Sequence, residues 1–115
     1  MPEGCLFCRI AEGKVPAKIV HRDDECVAFE DINPQGKLHV LVVPRKHIPT
    51  VNDIAPGDEK LVGHLFSVAA KLASGAGVAA DGYRCVMNVN CDAQQSVFHI
   101  HLHVIGGRKF GWPPG

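Results

Sequence analysis

Three histidines, His99, His101 and His103, alternate with apolar residues in the segment FHIHLHVIGG, which runs from Phe98 to Gly107. On a β-strand the side chains alternate between two faces, and the rise is about 3.3 Å per residue. The three imidazoles are therefore predicted to share one face, about 7 Å apart, while the apolar residues point into a core. The chain is therefore expected to form a sheet on which histidine side chains occupy part of one face.

Apolar periodicity and turn residues predict the other elements of this sheet and its helices. The predicted segments are a short helix carrying Leu6, Phe7, Ile10 and Ala11, strands over about Lys18 to His21, Cys26 to Glu30, Leu38 to Val43, Tyr83 to Asn88 and Val97 to Ile105, and a long helix from Pro56 to about Ala73. These elements predict an α+β fold, in which helices pack on an antiparallel sheet of about five strands. With 115 residues the chain has room for one core, so residues 1–115 are expected to form a single domain.

The composition excludes several classes of partner. Twelve Lys and Arg balance 12 Asp and Glu, which gives no net charge for bulk binding of nucleic acid or a charged membrane. The N-terminal stretch MPEGCLFCRIAEGK lacks the basic region and long apolar run of a secretory signal, so a cytoplasmic location is expected.

Five cysteines form an odd set, which favours reduced thiols. Cys26 and Cys85, in apolar strand-like runs, are predicted to be small core residues.

Two chemistries suit three clustered imidazoles. One is a hydrolytic zinc, which takes three protein ligands and a water molecule. The other is nucleophilic attack on phosphorus by one imidazole, whose second nitrogen is held by a neighbour that fixes the tautomer. No carboxylate or thiolate beside the triplet completes a catalytic zinc site, but the residues alone leave both interpretations open.

The segment His99-Ile100-His101-Leu102-His103-Val104-Ile105 resembles the signature of the histidine triad (HIT) superfamily. The rest of the chain resembles its Hint branch, the adenosine 5'-monophosphoramidases. The matching segments are Leu6-Phe7-Cys8-Arg9-Ile10, Ile32-Asn33-Pro34-Gln35, Pro44-Arg45-Lys46-His47-Ile48, Gln95-Ser96-Val97 and Trp112-Pro113-Pro114-Gly115. The resemblance implies the HIT-like fold, a five-stranded antiparallel sheet with one long and one short helix.

The resemblance also implies a function and a set of site residues. The activity would be hydrolysis of the P–N bond of a purine nucleoside phosphoramidate, with an AMP- or GMP-like nucleotide as the bound group. His101 would attack phosphorus to form a nucleotidyl-histidine, supported by His99, His103, His39 and Ser96. The substrate-binding residues carried over are Asp31, Ile32, Phe29, Ile10, Asn88 and Gln95. Catalysis would need no cofactor.

Several of these residues carry further expectations. Asp31 precedes a turn, where Asp is favoured anyway, so it has a structural interpretation beside ribose binding. His39 lies in a run expected to be buried on both faces and must have a hydrogen-bond partner, which the resemblance places in the triad. Ser96 has the wrong parity for the histidine face, so we predict a backbone bend before Phe98. Ala93-Gln94 stands where the family commonly has glycines, which bears on how closely the backbone approaches phosphate.

Cys5 and Cys8 have the spacing of half a zinc site, and a second pair of ligands is required. Some proteins similar to this one hold a structural zinc through two such cysteines and two histidines, which here would be Cys5, Cys8, His47 and His99. Such a zinc would brace the fold and not perform the hydrolysis. His21 and His64 have no constellation around them in the sequence and are expected to be structural or exposed.

Two other functions remain open. One is hydrolysis of dinucleoside polyphosphates, as in the Fhit branch of the same superfamily; the Gln-Ser pair and the Trp-Pro-Pro-Gly ending favour Hint. The other is a nucleotide-binding scaffold whose hydrolysis is incidental. The resemblance further implies a homodimer that continues the sheet or packs the long helices together, with the Trp112 tail reaching toward the partner's site.

Overall fold

The computed structural model of the chain describes residues 4–115. The first three residues of the predicted domain, which also begin the stretch tested for a signal sequence, lie outside the described part. The elements are α1 (Leu6–Ala11), β1 (Ile19–Arg22), β2 (Cys26–Glu30), β3 (Leu38–Pro44), α2 (Glu59–Gly75), β4 (Tyr83–Val86) and β5 (Leu102–Gly106). Neither helix in this part of the chain has the length and hydropathy that a membrane crossing needs.

The five strands form one antiparallel sheet in the order β1-β2-β3-β5-β4. The predicted fold class, a five-stranded antiparallel sheet with one long and one short helix, is confirmed. β3 is the central strand, and its run of apolar residues is buried along nearly its whole length. A strand that is covered on both faces typically has an unbroken run of apolar residues, and β3 is covered on both faces.

The two faces of β3 belong to two different cores. Val40 and Val42 pack with Leu65 and Val68 of α2, while Leu41 on the opposite face packs with the α1 side of the sheet. Leu65 is fully buried, and truncating such a side chain to alanine typically costs about 2–5 kcal/mol. The α2 layer therefore anchors the sheet, and the smaller α1 layer leaves room on the other face for polar side chains.

The last strand is shorter than predicted. The sequence predicted a strand over Val97 to Ile105, but β5 begins at Leu102, and residues 97–99 form a bend. The ladder with β3 ends at the pair Val42 and Leu102. Beyond it, the Ile100 N–H donates to the carbonyl of Ile48, 2.8 Å away, which lies outside the sheet. Ile100 is still buried, so the apolar alternation holds without a strand.

Two other expectations need correction. The long helix begins at Glu59, because Pro56–Asp58 forms a 3₁₀ turn closed by a hydrogen bond from the Asp58 N–H to the Ala55 carbonyl. The Ala55 N–H in turn donates to the Asp58 carboxylate. Cys26 is fully buried as predicted, but Cys85 is exposed. Cys85 lies on β4, which pairs with β5 alone and is an edge strand, so it lacks the cover that a central strand receives.

Candidate active site

A cleft of about 560 Å³ opens on the α1 side of the sheet. Its apolar wall includes Ile10 of α1, Phe29 of β2 and Ile32 in the following turn, and its polar lining includes Asp31, Ser96, His101 and His103. Seven of the predicted site residues therefore line one cleft. A concave site with an apolar wall and a few convergent polar groups suits a small organic ligand that carries a polar group.

His101 has one ring nitrogen committed and one available. Its Nδ1 lies 2.9 Å from the carbonyl oxygen of His99, so Nδ1 carries the proton and donates. In the neutral ring, Nε2 then holds a lone pair. The ring is 5% exposed, and burial lowers the pKa of His101, although the His99 hydrogen bond and the charge of Asp31 act against that shift. The ring that lines the cleft is thus favoured in the neutral form that a nucleophile requires.

His39 and His103 form a hydrogen-bonded pair beside this ring. The Gln35 N–H donates to His39 Nδ1 over 2.9 Å, which leaves His39 Nε2 to donate to His103 Nδ1, also 2.9 Å away. The predicted partner of His39 in the triad is confirmed. In the neutral pair, His103 must carry its proton on Nε2. Burial, followed by the charges of His101 and His39, lowers the pKa of His103 to about 4.

Asp31 serves the turn that the sequence suggested, and it also approaches this pair. Its Oδ1 accepts from the Asn33 N–H at 2.8 Å. Its Oδ2 lies 3.4 Å from His39 Nε2 and 4.0 Å from His103 Nδ1. One carboxylate oxygen is therefore structural, and the other faces the cleft and the histidine pair.

His99 does not join the other two histidines in the cleft. Its Nε2 donates to the Pro44 carbonyl, 2.7 Å away, and its Nδ1 therefore holds a lone pair. That nitrogen lies 3.4 Å from Cys5 Sγ and Cys8 Sγ and 3.2 Å from His47 Nδ1. The three imidazoles lie on the α1 side of the sheet, as predicted, because His99 and His101 both contact Phe7 and His103 lines the cleft beside it. The bend at residues 97–99 nevertheless places His99 at the cysteine cluster and not in the cleft.

Cys5, Cys8, His47 and His99 bring two sulfurs and two nitrogens within 4.8 Å of one another. Burial, followed by contact with Cys5, raises the pKa of the Cys8 thiol to about 11. Burial lowers the pKa of His99 to about 4. Two thiols and two imidazoles are the donor set of a tetrahedral structural zinc, and the fixed lone pair of His99 points toward the other three donors. The four residues fit such an ion.

The loop before the bend holds Ser96 at the cleft. Gln95 is buried, and its amide makes three hydrogen bonds to the backbone: from the Asn90 N–H at 2.9 Å, to the Pro49 carbonyl at 2.7 Å and to the Val97 carbonyl at 3.1 Å. Asn88 donates to the Ala93 carbonyl at 2.8 Å. Neither Gln95 nor Asn88 lines the cleft, and both organise the loop. The bend predicted from the parity of Ser96 is confirmed.

The same loop contains Ala93-Gln94, where the family commonly has glycines. Gln94 has φ of 60°, a left-handed conformation that glycine adopts at little cost. The position thus has glycine-like geometry although it carries a side chain.

A family model described as the HIT domain matches residues 12–110 of the chain. The chain belongs to the HIT domain family. A curated relative from Escherichia coli K12, named purine nucleoside phosphoramidase, is 45% identical over 111 residues, which are 96% of this chain and 93% of that protein. A crystal structure of a HIT family hydrolase from Legionella pneumophila is 48% identical, with a TM-score of 0.95, and the match covers 97% of this chain and all of that one.

A third HIT relative bears on the cysteine cluster. A Zn-bound histidine triad family protein from Mycobacterium smegmatis is 32% identical, with a TM-score of 0.80, over 92% of this chain and 76% of that one. Within this HIT chain, the proximity of two sulfur and two nitrogen donors favours zinc.

A second polar cluster lies outside the HIT cleft, and sequence reasoning missed it. His21 Nε2 and His64 Nε2 each lie 2.7 Å from the same oxygen of Asp23, Oδ2. These contacts agree with the expected structural role of His21 and His64, but they join the two residues in a cluster that the sequence did not indicate. His21, Asp23 and Cys26 are close in sequence and could have been grouped as a hairpin cluster. His64 lies 41 residues from Asp23, and only the packing of α2 on the sheet brings it there.

Proposed function

We propose that this HIT family hydrolase cleaves the P–N bond of purine nucleoside phosphoramidates, of the AMP-amine or GMP-amine type, through a covalent intermediate on His101. The observation that carries the proposal is the fixed tautomer of His101. Its Nδ1 donates to the His99 carbonyl, so the other nitrogen of a ring that lines the cleft has a lone pair available for phosphorus. The substrate class is supported by the name of the Escherichia coli relative.

The reaction proceeds in two displacements. His101 Nε2 attacks the α-phosphorus, a P–N bond to the ring forms, the P–N bond to the amine breaks, and the amine leaves with a proton taken from solvent. Water then attacks the same phosphorus, which releases the nucleoside monophosphate and restores the imidazole. His103 offers its Nε2–H to a phosphate oxygen, while the Ser96 hydroxyl lies at the cleft to hydrogen-bond the leaving amine. His39 holds His103 in the required tautomer.

The remainder of the cleft binds the nucleoside. Ile10, Phe29 and Ile32 wall the base, and the fully exposed Ile32 side chain gains cover when a base stacks beside it. Asp31 Oδ2 accepts from the ribose hydroxyls. Asn88 and Gln95, which the resemblance made substrate-binding residues, act indirectly here by holding the loop that carries Ser96.

The four-donor cluster of Cys5, Cys8, His47 and His99 holds a structural zinc in this proposal. A bound zinc would supply a cross-link between α1, the segment after β3 and the segment before β5. His99 belongs to this cluster, and it supports the nucleophile only through its carbonyl oxygen. The first displacement takes its nucleophile from His101, and neither displacement uses a cofactor.

We also propose that residues 1–115 form one HIT domain that works as a homodimer. β4 is an edge strand with Val86 exposed, and α2 and the C-terminal tail expose Phe66 and Trp112. Unpaired strand edges and exposed apolar side chains are commonly covered by a partner. Sedimentation equilibrium should give twice the chain mass, and a monomer at micromolar concentration would contradict the proposal.

The experiment that tests the function compares wild type with His101→Ala on AMP-amine and GMP-amine substrates. Acid quench followed by mass spectrometry should trap a nucleotidyl adduct on wild type, and His101→Ala should lose the adduct and at least 1,000-fold in kcat/KM, as losses of a nucleophile typically do. The control is His64→Ala, which removes an imidazole outside the cleft. Unchanged turnover in His101→Ala would remove the mechanism, and tight AMP binding with negligible turnover on every phosphoramidate would favour a binding scaffold.

A further inference from the structure

Four side chains from four parts of the fold meet at the turn of the β1–β2 hairpin. His21 comes from β1, Asp23 from the turn, Cys26 from the start of β2 and His64 from α2. Asp23 Oδ2 lies 2.7 Å from His21 Nε2, 2.7 Å from His64 Nε2 and 3.5 Å from Cys26 Sγ. The donor atoms of His21, Asp23 and Cys26 lie within 4.8 Å of one another.

The turn fixes the carboxylate in this position. Asp23 Oδ1 accepts from the backbone N–H groups of Glu25 and Cys26, at 2.7 and 2.8 Å. The Asp23 carbonyl accepts from Arg45 Nε at 2.7 Å. Oδ1 therefore belongs to the turn, and Oδ2 is left to face the two imidazoles and the thiol.

We propose that His21, Asp23, Cys26 and His64 form a second metal site, separate from the cysteine pair near α1 and from the cleft. Two imidazole nitrogens, one carboxylate oxygen and one sulfur suit zinc and the neighbouring divalent metals cobalt and nickel. Magnesium and calcium prefer all-oxygen sites and are not expected here. A bound ion would tie the β1–β2 hairpin to α2.

The geometry requires both imidazoles to move. His64 must also approach the other ligands, because only the donor atoms of His21, Asp23 and Cys26 lie within 4.8 Å of one another. Ligands at about 2.0–2.3 Å from a tetrahedral metal lie roughly 3.3–3.8 Å from one another. The two Nε2 to Oδ2 distances of 2.7 Å must therefore widen by somewhat less than about 1 Å. The His21 and His64 side chains are 19% and 34% exposed, which leaves them room to move and gives the ion a route from solvent.

The protons balance in a simple way. Without metal, each imidazole donates from Nε2 to the carboxylate, and burial, followed by the charge of Asp23, raises the pKa of the Cys26 thiol to about 12. On binding, each neutral ring moves its proton to Nδ1, and the thiol releases one proton to solvent. A coordinating thiol is deprotonated by the ion, so a high pKa in the metal-free protein does not prevent binding.

Cadmium-113 NMR of the full chain tests the proposal, because its chemical shift depends on the number of sulfur ligands. Wild type should bind two cadmium ions per chain and show two signals, one from the two-sulfur cluster near α1 and one, shifted upfield, from the one-sulfur site. His64→Gln and His21→Gln should each remove the upfield signal and weaken binding of the second ion at least tenfold, while the other signal remains. Cys5→Ser should alter the downfield signal alone.

The matched control is Ser67→Ala, an exposed change on the same helix as His64, and it should keep both signals. His64 and His21 are preferred to Cys26 as probes because neither is a core residue, whereas Cys26 is fully buried. A single cadmium per chain in wild type, a second ion that binds only at millimolar concentration, or a second signal that survives both histidine variants would overturn the proposal.

Discussion

Gln95 offers a sharp test of how the loop supports the site. Its side chain is 7% exposed and makes three hydrogen bonds, with the backbone of Asn90, Pro49 and Val97. Each neutral hydrogen bond contributes about 1 kcal/mol, so Gln95→Ala should reduce the free energy of unfolding by about 3 kcal/mol. At about 4 °C per kcal/mol for a domain of this size, the melting temperature should fall by about 12 °C.

Urea unfolding and steady-state kinetics on an AMP-amine substrate would measure both consequences of Gln95→Ala. Since Ser96 is the next residue, kcat should fall by about tenfold while KM changes little, equivalent to about 1.4 kcal/mol in the activation free energy. Gln94→Ala is the control: the neighbouring side chain is exposed, and its loss should change stability by less than about 0.5 kcal/mol. A stability loss below 1 kcal/mol for Gln95→Ala would refute the hydrogen-bond reasoning.

Three further outcomes are expected. Asp31→Asn keeps an oxygen for the Asn33 N–H and should leave the melting temperature unchanged, but it removes a charge from the cleft, so kcat/KM should fall about tenfold. The hydrogen bond from Lys46 lowers the pKa of Asp58. The ionised Asp58 therefore contributes to the free energy of unfolding above about pH 4, and this contribution is lost as the pH falls through the lowered pKa. Acid unfolding curves of Asp58→Asn should lack this pH-dependent contribution. Chelation of a metal present at 100 times its dissociation constant should reduce the free energy of unfolding, measured by calorimetry, by about 2.7 kcal/mol. Cys8→Ser should abolish the stabilisation by metal bound at the α1 cluster, while AMP-amine turnover persists at 25 °C.

Local patterns predicted most of the fold, because the information that sets each element lies within a few residues. The strands β2 and β3 and the helix α1 follow directly from apolar runs bounded by turn residues. The prediction was wrong for residues 97–101, where the apolar alternation suits a strand equally well. β5 begins late, at Leu102, because the Ile100 N–H bonds to the Ile48 carbonyl, a partner about 50 residues away that no local pattern reveals.

The site residues likewise divide into those that local sequence patterns identify and those that only the folded chain brings together. The triad spacing identified His101 and His103, and the family resemblance added His39 and the cysteine cluster that the folded chain assembles. The cluster around Asp23 escaped notice because His64 reaches it only through the packing of α2 on the sheet. The periodicity of a helix or a strand gives no information about contacts between residues 41 positions apart.

The three alternating histidines therefore have three different roles, and the bend at residues 97–99 separates the position of His99 from the cleft. His99 directs Nδ1 to the cysteine cluster, Nε2 to the Pro44 carbonyl and its own carbonyl to His101 Nδ1. If residues 97–101 continued as a strand, the His99 carbonyl would be directed at a neighbouring strand. Because the chain leaves the sheet there, a backbone oxygen fixes the tautomer of the nucleophile. Only His103 keeps the strand position that the spacing predicts, and it uses that position to face His39 across the β3–β5 ladder.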